Sequence, residues 1–182
     1  VHLPETIETE RLISRVARPG DGGVSSEAIS ESLDQLIPWL SWVNPPPTVP
    51  ESEGSCRRAH ERFRLNKDLM VFLFLEGCGS LVGGSGLHDV NWELGYFGVG
   101  YWGRTCFCGK ELITEGVTAL SEYALNQLCA SRVFFTTDEF NTASWRLAVR
   151  AGFDFEGTLR NDRRNVQGTL RNTRIYSKIP KS

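Results

Sequence analysis

At 182 residues, 40% hydrophobic and 23% charged, the chain has the size and composition of one globular domain over residues 1–182. Its 20 basic and 22 acidic side chains leave a formal charge of -2, which gives no electrostatic footprint for nucleic acid or an anionic membrane surface. The five cysteines form an odd set without a CxxC pair, so neither a disulfide framework nor a zinc site is expected; with no signal-like core and no membrane-length apolar run, the expected location is cytoplasmic.

Arg11 to Ala17 has the branched, semi-alternating pattern of a first strand, which Pro19 to Gly23 break. Ser25 or Ser26 can cap a helix whose apolar positions Ala28, Ile29, Leu33, Leu36 and Ile37 recur at helical spacing. Pro38 to Asn44 carries Trp39 and Trp42, placed either in the core or along a substrate cleft, and Pro45 to Pro47 cannot continue a helix. A second helix is predicted over Thr48 to Asn66, with Arg57, Arg58, Arg62 and Arg64 on an exposed basic face. The apolar run Met70 to Leu75 suits a strand in the middle of a sheet, and Leu81 to Leu87 returns beside it with Gly83, Gly84 and Gly86 permitting close packing.

His88 to Asn91 reads as a polar connection and Tyr96 to Trp102 as the next strand. The clearest helix is predicted over Lys110 to Leu128, where Ile113, Val117, Leu120, Ala124 and Leu128 form one stripe. Arg132 to Thr137 is a buried strand, Asn141 to Arg150 a helix capped by Asn141 and ended by Gly152, and Phe153 to Leu159 and Asn172 to Lys178 the last two strands. The order β-α-α-β-β-β-α-β-α-β-β is that of an α/β (α+β) mixed sheet with helices on both faces.

Two stretches carry chemistry. In Val99 to Gly116, an aromatic strand runs through a polar loop into a helix start, where unpaired backbone N–H groups and the helix dipole favour a phosphate. Gly98, Gly100 and Gly103 match a GxGxxG pattern, but Tyr101 and Trp102 are strand formers and the helix begins only near Gly109, so a dinucleotide fold is rejected. The Walker pattern fails because Glu111 stands where a hydroxyl is needed. His88-Asp89 without a GxSxG elbow reads as a turn rather than a hydrolase dyad. In the second stretch, Thr137 to Trp145, a strand that splays from Tyr96 to Trp102 would leave a gap for a pantetheine-like arm, with Ser144 facing its reactive end.

Together these segments resemble the GNAT superfamily of acyl-CoA-dependent N-acyltransferases, in its RimJ/RimL-like ribosomal-protein N-acetyltransferase branch. The similarity runs through residues 9–12, 39–42, 86–89, 100–102, 114–115, 141–144, 152–153 and 156–160. It implies a mostly antiparallel central sheet of six or seven strands and acetyl-CoA as cosubstrate without a metal. The implied coenzyme contacts are Tyr101, Trp102, Gly103 and Arg104; Cys106, Cys108, Gly109 and Lys110 of the loop; Leu112, Ile113 and Thr114 of the helix start; and Asn141 and Ser144.

The family's pyrophosphate loop falls on Cys106 to Glu111, with two departures: Cys106 replaces a polar residue and Glu111 a small one. A carboxylate about 4 Å from a phosphate charge costs about 1–4 kcal/mol unless it turns outward or pairs with Lys110. Ala148 stands where many members carry a tyrosine acid, so the acid role passes to Ser144. The branch's glutamate before the Gly-Tyr-Trp strand is Gly98 here, which leaves Glu93 as the base, with Asp89, His88 or a water chain as alternatives. Trp39, Trp42 and His88 would line the acceptor side. The implied reaction is direct acetyl transfer to a primary amine, a protein N-terminus or a small molecule, by a monomer or homodimer. The alternative is a non-catalytic acyl-CoA-binding or protein-interaction module, motivated by Glu111 and Gly98.

Overall fold

In the computed structural model of the chain, which describes residues 2–181, the first strand is one that the sequence pattern does not reveal. β1 (Thr6–Glu8) is a three-residue edge strand antiparallel to β2 (Leu12–Val16). The first helix starts earlier than Ser25 and is broken: α1 (Gly22–Ser30) follows Asp21, whose carboxylate is held by both Arg15 guanidinium nitrogens at 2.8 Å, and α2 (Leu33–Leu36) follows Ser32. A 3-10 turn at Ser41–Val43 leads through a cis Asn44–Pro45 bond to α3 (Val49–Arg64). Thr48 and Glu51 form a reciprocal capping box there, which satisfies two otherwise unpaired amides.

β3 (Leu69–Leu75) lies inside the sheet between β2 and β4 (Leu81–Asn91). Its unbroken apolar run follows from burial on both faces: Val71 and Leu73 join the larger core cluster, Phe72 the cluster beneath α1 and α3. β4 continues through the segment expected as a polar connection, with a register irregularity between His88 and Asn91, and pairs with β5 (Tyr96–Gly103). α4 (Leu112–Asn126) buries Leu112, Val117, Leu120 and Ala124 on the sheet, and Gly116 brings it close to Leu73, whose Cδ1 would stand 2.9 Å from a Cβ there. β6 (Arg132–Asp138), α5 (Thr142–Arg150), β7 (Asp154–Arg164) and β8 (Leu170–Lys178) complete the chain.

The sheet order is β1-β2-β3-β4-β5-β6-β8-β7, antiparallel throughout except for the parallel pair β5/β6. Among the described residues eight strands thus stand where six or seven were expected, and β1 is the addition. Helices cover both faces: α1, α2 and α3 with the two smaller core clusters, α4 and α5 with the largest. No helix among the described residues is long and apolar enough to cross a membrane.

Candidate active site

β5 and β6 share only three residue pairs, Tyr96 to Gly98 with Arg132 to Phe134. Beyond Gly98 they diverge, because β5 follows β4 to Gly103 while β6 follows β8 to Asp138. The wedge between them opens into a cleft of about 590 Å³. Tyr101, Trp102 and Gly103 line one wall, Phe135 to Asp138 the other, and Asn141 and Ser144 enter from α5. Strand edges that part in this way leave backbone donors and acceptors available to a ligand.

At the outer end, Cys108 and Ile113 lead to the start of α4, which opens at Leu112 rather than at Lys110. Gly109 and Glu111 both take left-handed backbone, φ 75° and 60°, and the first helical turn has no capping side chain. Its amides therefore have no side-chain acceptor among the described residues, as an anion site requires. The Glu111 carboxylate turns aside: it accepts from Thr114 Oγ1 at 2.7 Å and from Arg150 Nε at 2.9 Å, and the Thr114 bond leads the causes that hold it below the usual glutamate range. Its partner is Arg150 of α5, not Lys110, whose ammonium lies over the Phe107 ring.

Two segments of the resemblance meet at this loop. Glu115 accepts from Thr9 Oγ1 at 2.6 Å, Arg11 N at 3.0 Å and Arg11 Nε at 2.6 Å, and the same Arg11 donates to the Lys110 carbonyl. The N-terminal Thr9 to Leu12 segment thereby braces the loop against α4. Arg104, expected to bind the coenzyme, donates to Glu27 of α1 and to Glu31 just past its end, and the Thr105 amide donates to Ser32 Oγ. Cys108 Sγ donates to Gln35, Cys106 is exposed outside the cleft, and Leu112 belongs to the core.

At the inner end, the Tyr101 hydroxyl lies 2.7 Å from Ser144 Oγ and 2.8 Å from the Ser144 carbonyl, with its ring stacked on Phe135. Burial pushes the Tyr101 phenol well above its ordinary value, so it stays protonated as a donor. Ser144 is fixed because Asn141 Oδ1 accepts from its amide at the helix N-cap, the role Asn141 was expected to take.

A second cavity of about 640 Å³ adjoins the cleft, between α1, α3 and the sheet. His88 lines both cavities, as do Tyr101 and Trp102. The register places His88 opposite Gly98, and a Cβ at Gly98 would fall 2.4 Å from the imidazole Cε1. His88 Nδ1 is 2.8 Å from Asp89 Oδ2. Glu93 sits in the exposed turn between β4 and β5 and lines neither cavity. Trp42 lines the second cavity and Trp39 the cleft, both on an exposed segment rather than in the core.

Sequence reasoning passes over Arg163 and Asp138 in the cleft and Arg150 at its mouth. Beside them, Arg171 pairs with the buried Asp138.

No protein of curated function matches the chain by sequence. Among solved structures, one described as a probable acetyltransferase superposes with a TM-score of 0.88 at 25% identity, covering 96% of each chain. RimL, the ribosomal L7/L12 alpha-N-protein acetyltransferase, solved in complex with coenzyme A, gives 0.89 at 18% identity over 96% of this chain and 98% of that one. The microcin C7 self-immunity acetyltransferase MccE, in complex with acetyl-CoA and AMP, gives 0.89 at 19% identity over 98% of both. The neighbours thus include the branch that the sequence resembles, and a family model for the acetyltransferase (GNAT) domain matches residues 11–154. With most of its length matched by that model, and with the diverging strands and uncapped helix start in place, the chain belongs to the GNAT acetyltransferase family.

Proposed function

We propose that the chain transfers an acetyl group from acetyl-CoA directly to a primary amine, with both substrates bound at once. The observation that carries this reading is that two neighbouring cavities meet at His88, Tyr101 and Trp102. The cleft fits the coenzyme: the open amides of Leu112 to Thr114 suit its pyrophosphate, and the β5 edge past Gly98 suits the amides of its pantetheine arm. The cosubstrate supplies the thioester carbonyl that the amine attacks.

The second cavity receives the amine, from a protein N-terminus or a small molecule. With Nδ1–H donated to Asp89, His88 presents an unprotonated Nε2 to remove the amine's proton. The β5 backbone stabilises the charge developing on the acetyl oxygen, and the alignment of two bound reactants contributes the remaining acceleration. Ser144, backed by the Tyr101 phenol, returns a proton to the departing sulfur. His88 takes the role considered for Glu93, since it stands where the two cavities join.

Calorimetry with acetyl-CoA, paired with a thiol-release assay over amines and N-terminal peptides, tests the proposal. Binding plus amine-dependent release is the expected result. Tight binding with no release on any acceptor favours a non-catalytic acyl-CoA-binding module, and absence of binding overturns both readings.

A further inference from the structure

The second cavity has an asymmetric charge that the transfer chemistry leaves unused. α3 faces it with Ser52, Cys56, Ala59 and Arg62 at helical spacing, and Arg58 stands at the rim. Arg62 pairs with Asp68, the only carboxylate among the described lining residues, which cancels both. Arg58 makes a 2.9 Å bond to the Ser55 hydroxyl, and among the described residues no carboxylate pairs with it. Deeper in, Ser52 is 4% exposed and its Oγ has no hydrogen-bond partner. That oxygen is enclosed by protein and not open to the cavity, so the unpaired charge of Arg58 is what the wall offers a ligand. The rest of the wall is apolar, including Trp42, Met70 and Phe72.

From these features, and resting on the acetyl-transfer reading, we infer that the acceptor is an amine with an apolar body and an anionic group, a carboxylate or phosphate. Arg58 pairs with the anion, and the apolar wall holds the rest while the amino group reaches His88. Polyamines and other polycations are excluded by the same charges: the cavity has no free carboxylate among the described residues to receive a second ammonium.

Four probes that share a benzylamine body and differ at the para position test this: the carboxylate, the phosphonate, the carboxamide and the aminomethyl compound. In the thiol-release assay with acetyl-CoA, kcat/KM for the anionic probes should exceed that for the carboxamide by about tenfold, mostly through KM, with the diamine slowest. Carboxylate against phosphonate then distinguishes the two sources of the anion. Arg58→Ala should bring the anionic and carboxamide values to within about threefold of each other, and Arg58→Glu should shift the preference towards the diamine. Equal kcat/KM across the wild-type series, or an anionic preference that survives Arg58→Ala, overturns the inference while leaving acetyl transfer standing.

If acetyl-CoA binds but no probe reacts, calorimetry of the carboxylate probe on the coenzyme-loaded protein decides. Binding that Arg58→Ala abolishes supports the inference, and no binding overturns it. A protein that neither binds acetyl-CoA nor releases thiol fails the underlying reading instead.

Discussion

His88 occupies the space that a side chain at residue 98 would need, its Cε1 and Nδ1 lying 2.4 and 2.6 Å from the position of a Cβ on Gly98. Opposite each other in the β4/β5 ladder, the two residues exchange bulk, and the glycine is what lets the imidazole lie against the sheet where the cavities join. His88→Gln should lower kcat about 10²- to 10⁴-fold, because the amide cannot take the amine's proton. Gly98→Ala should also lower kcat by displacing the ring, yet have little further effect in a His88→Gln background. Independent, multiplying losses would show that Gly98 acts through something other than His88.

The Tyr101–Ser144 contact makes a second prediction. Tyr101→Phe should reduce kcat about tenfold and cost about 1 kcal/mol in urea unfolding, since the phenol bonds both the hydroxyl and the carbonyl of Ser144. Ser144→Ala should reduce kcat similarly, and the double variant should be no slower than the worse single one. That non-additivity is the signature of one proton route.

Glu111 holds a left-handed backbone at φ 60° with its carboxylate tied to Thr114 and Arg150. Glu111→Gly relieves the backbone strain, removes a negative charge from the phosphate approach and frees Arg150. Acetyl-CoA affinity by calorimetry should be unchanged or improved up to about fivefold, in line with about 1 kcal/mol of repulsion removed at a solvated site. A large loss of affinity would show that the carboxylate contributes to binding.

Glu156 links β7 to β6 and β8 by accepting from Arg132 and Ser177. The Arg132 hydrogen bonds, foremost, lower its carboxyl from the ordinary 4.5 to about 2. A depressed folded-state value means that this contribution to stability is fully present above pH 4.5 and is lost as pH falls towards 2. Glu156→Gln should therefore melt about 1–3 °C below the wild type at neutral pH, a modest shift because the pair is partly solvated, and the gap should close through that acid window. A gap that persists unchanged below pH 2 would assign the effect to packing.

The parts legible in the sequence are those set by local chemistry. Asn141 reads as a cap and Gly152 as a stop because each obeys a backbone rule that distant contacts do not override, and the run Met70 to Leu75 reads as an inner strand because both its faces are buried. β1 escapes because Thr6 to Glu8 is too short to show a period and packs only as an edge. His88 to Asn91 is polar enough to pass for a loop, although it is hydrogen-bonded into β4 with a bulge. Arg104 and Arg58 show the harder limit, since an arginine's partner is chosen by tertiary geometry. One is held by carboxylates in and just after α1, while the other faces a cavity that forms only when α3 lies across the sheet.

The three-pair ladder between β5 and β6 also has a mechanical meaning. Within the sheet it works as a spine, with β1 to β5 as one leaf and β6 to β8 as the other, the leaves held open where Val99 to Gly103 faces Phe135 to Asp138. A ligand arm lying in that opening becomes an inserted strand that joins the leaves along their length. Amide exchange on the two facing segments should slow together on loading, because one object closes both edges. Substrate capture and the cohesion of the sheet are then the same event.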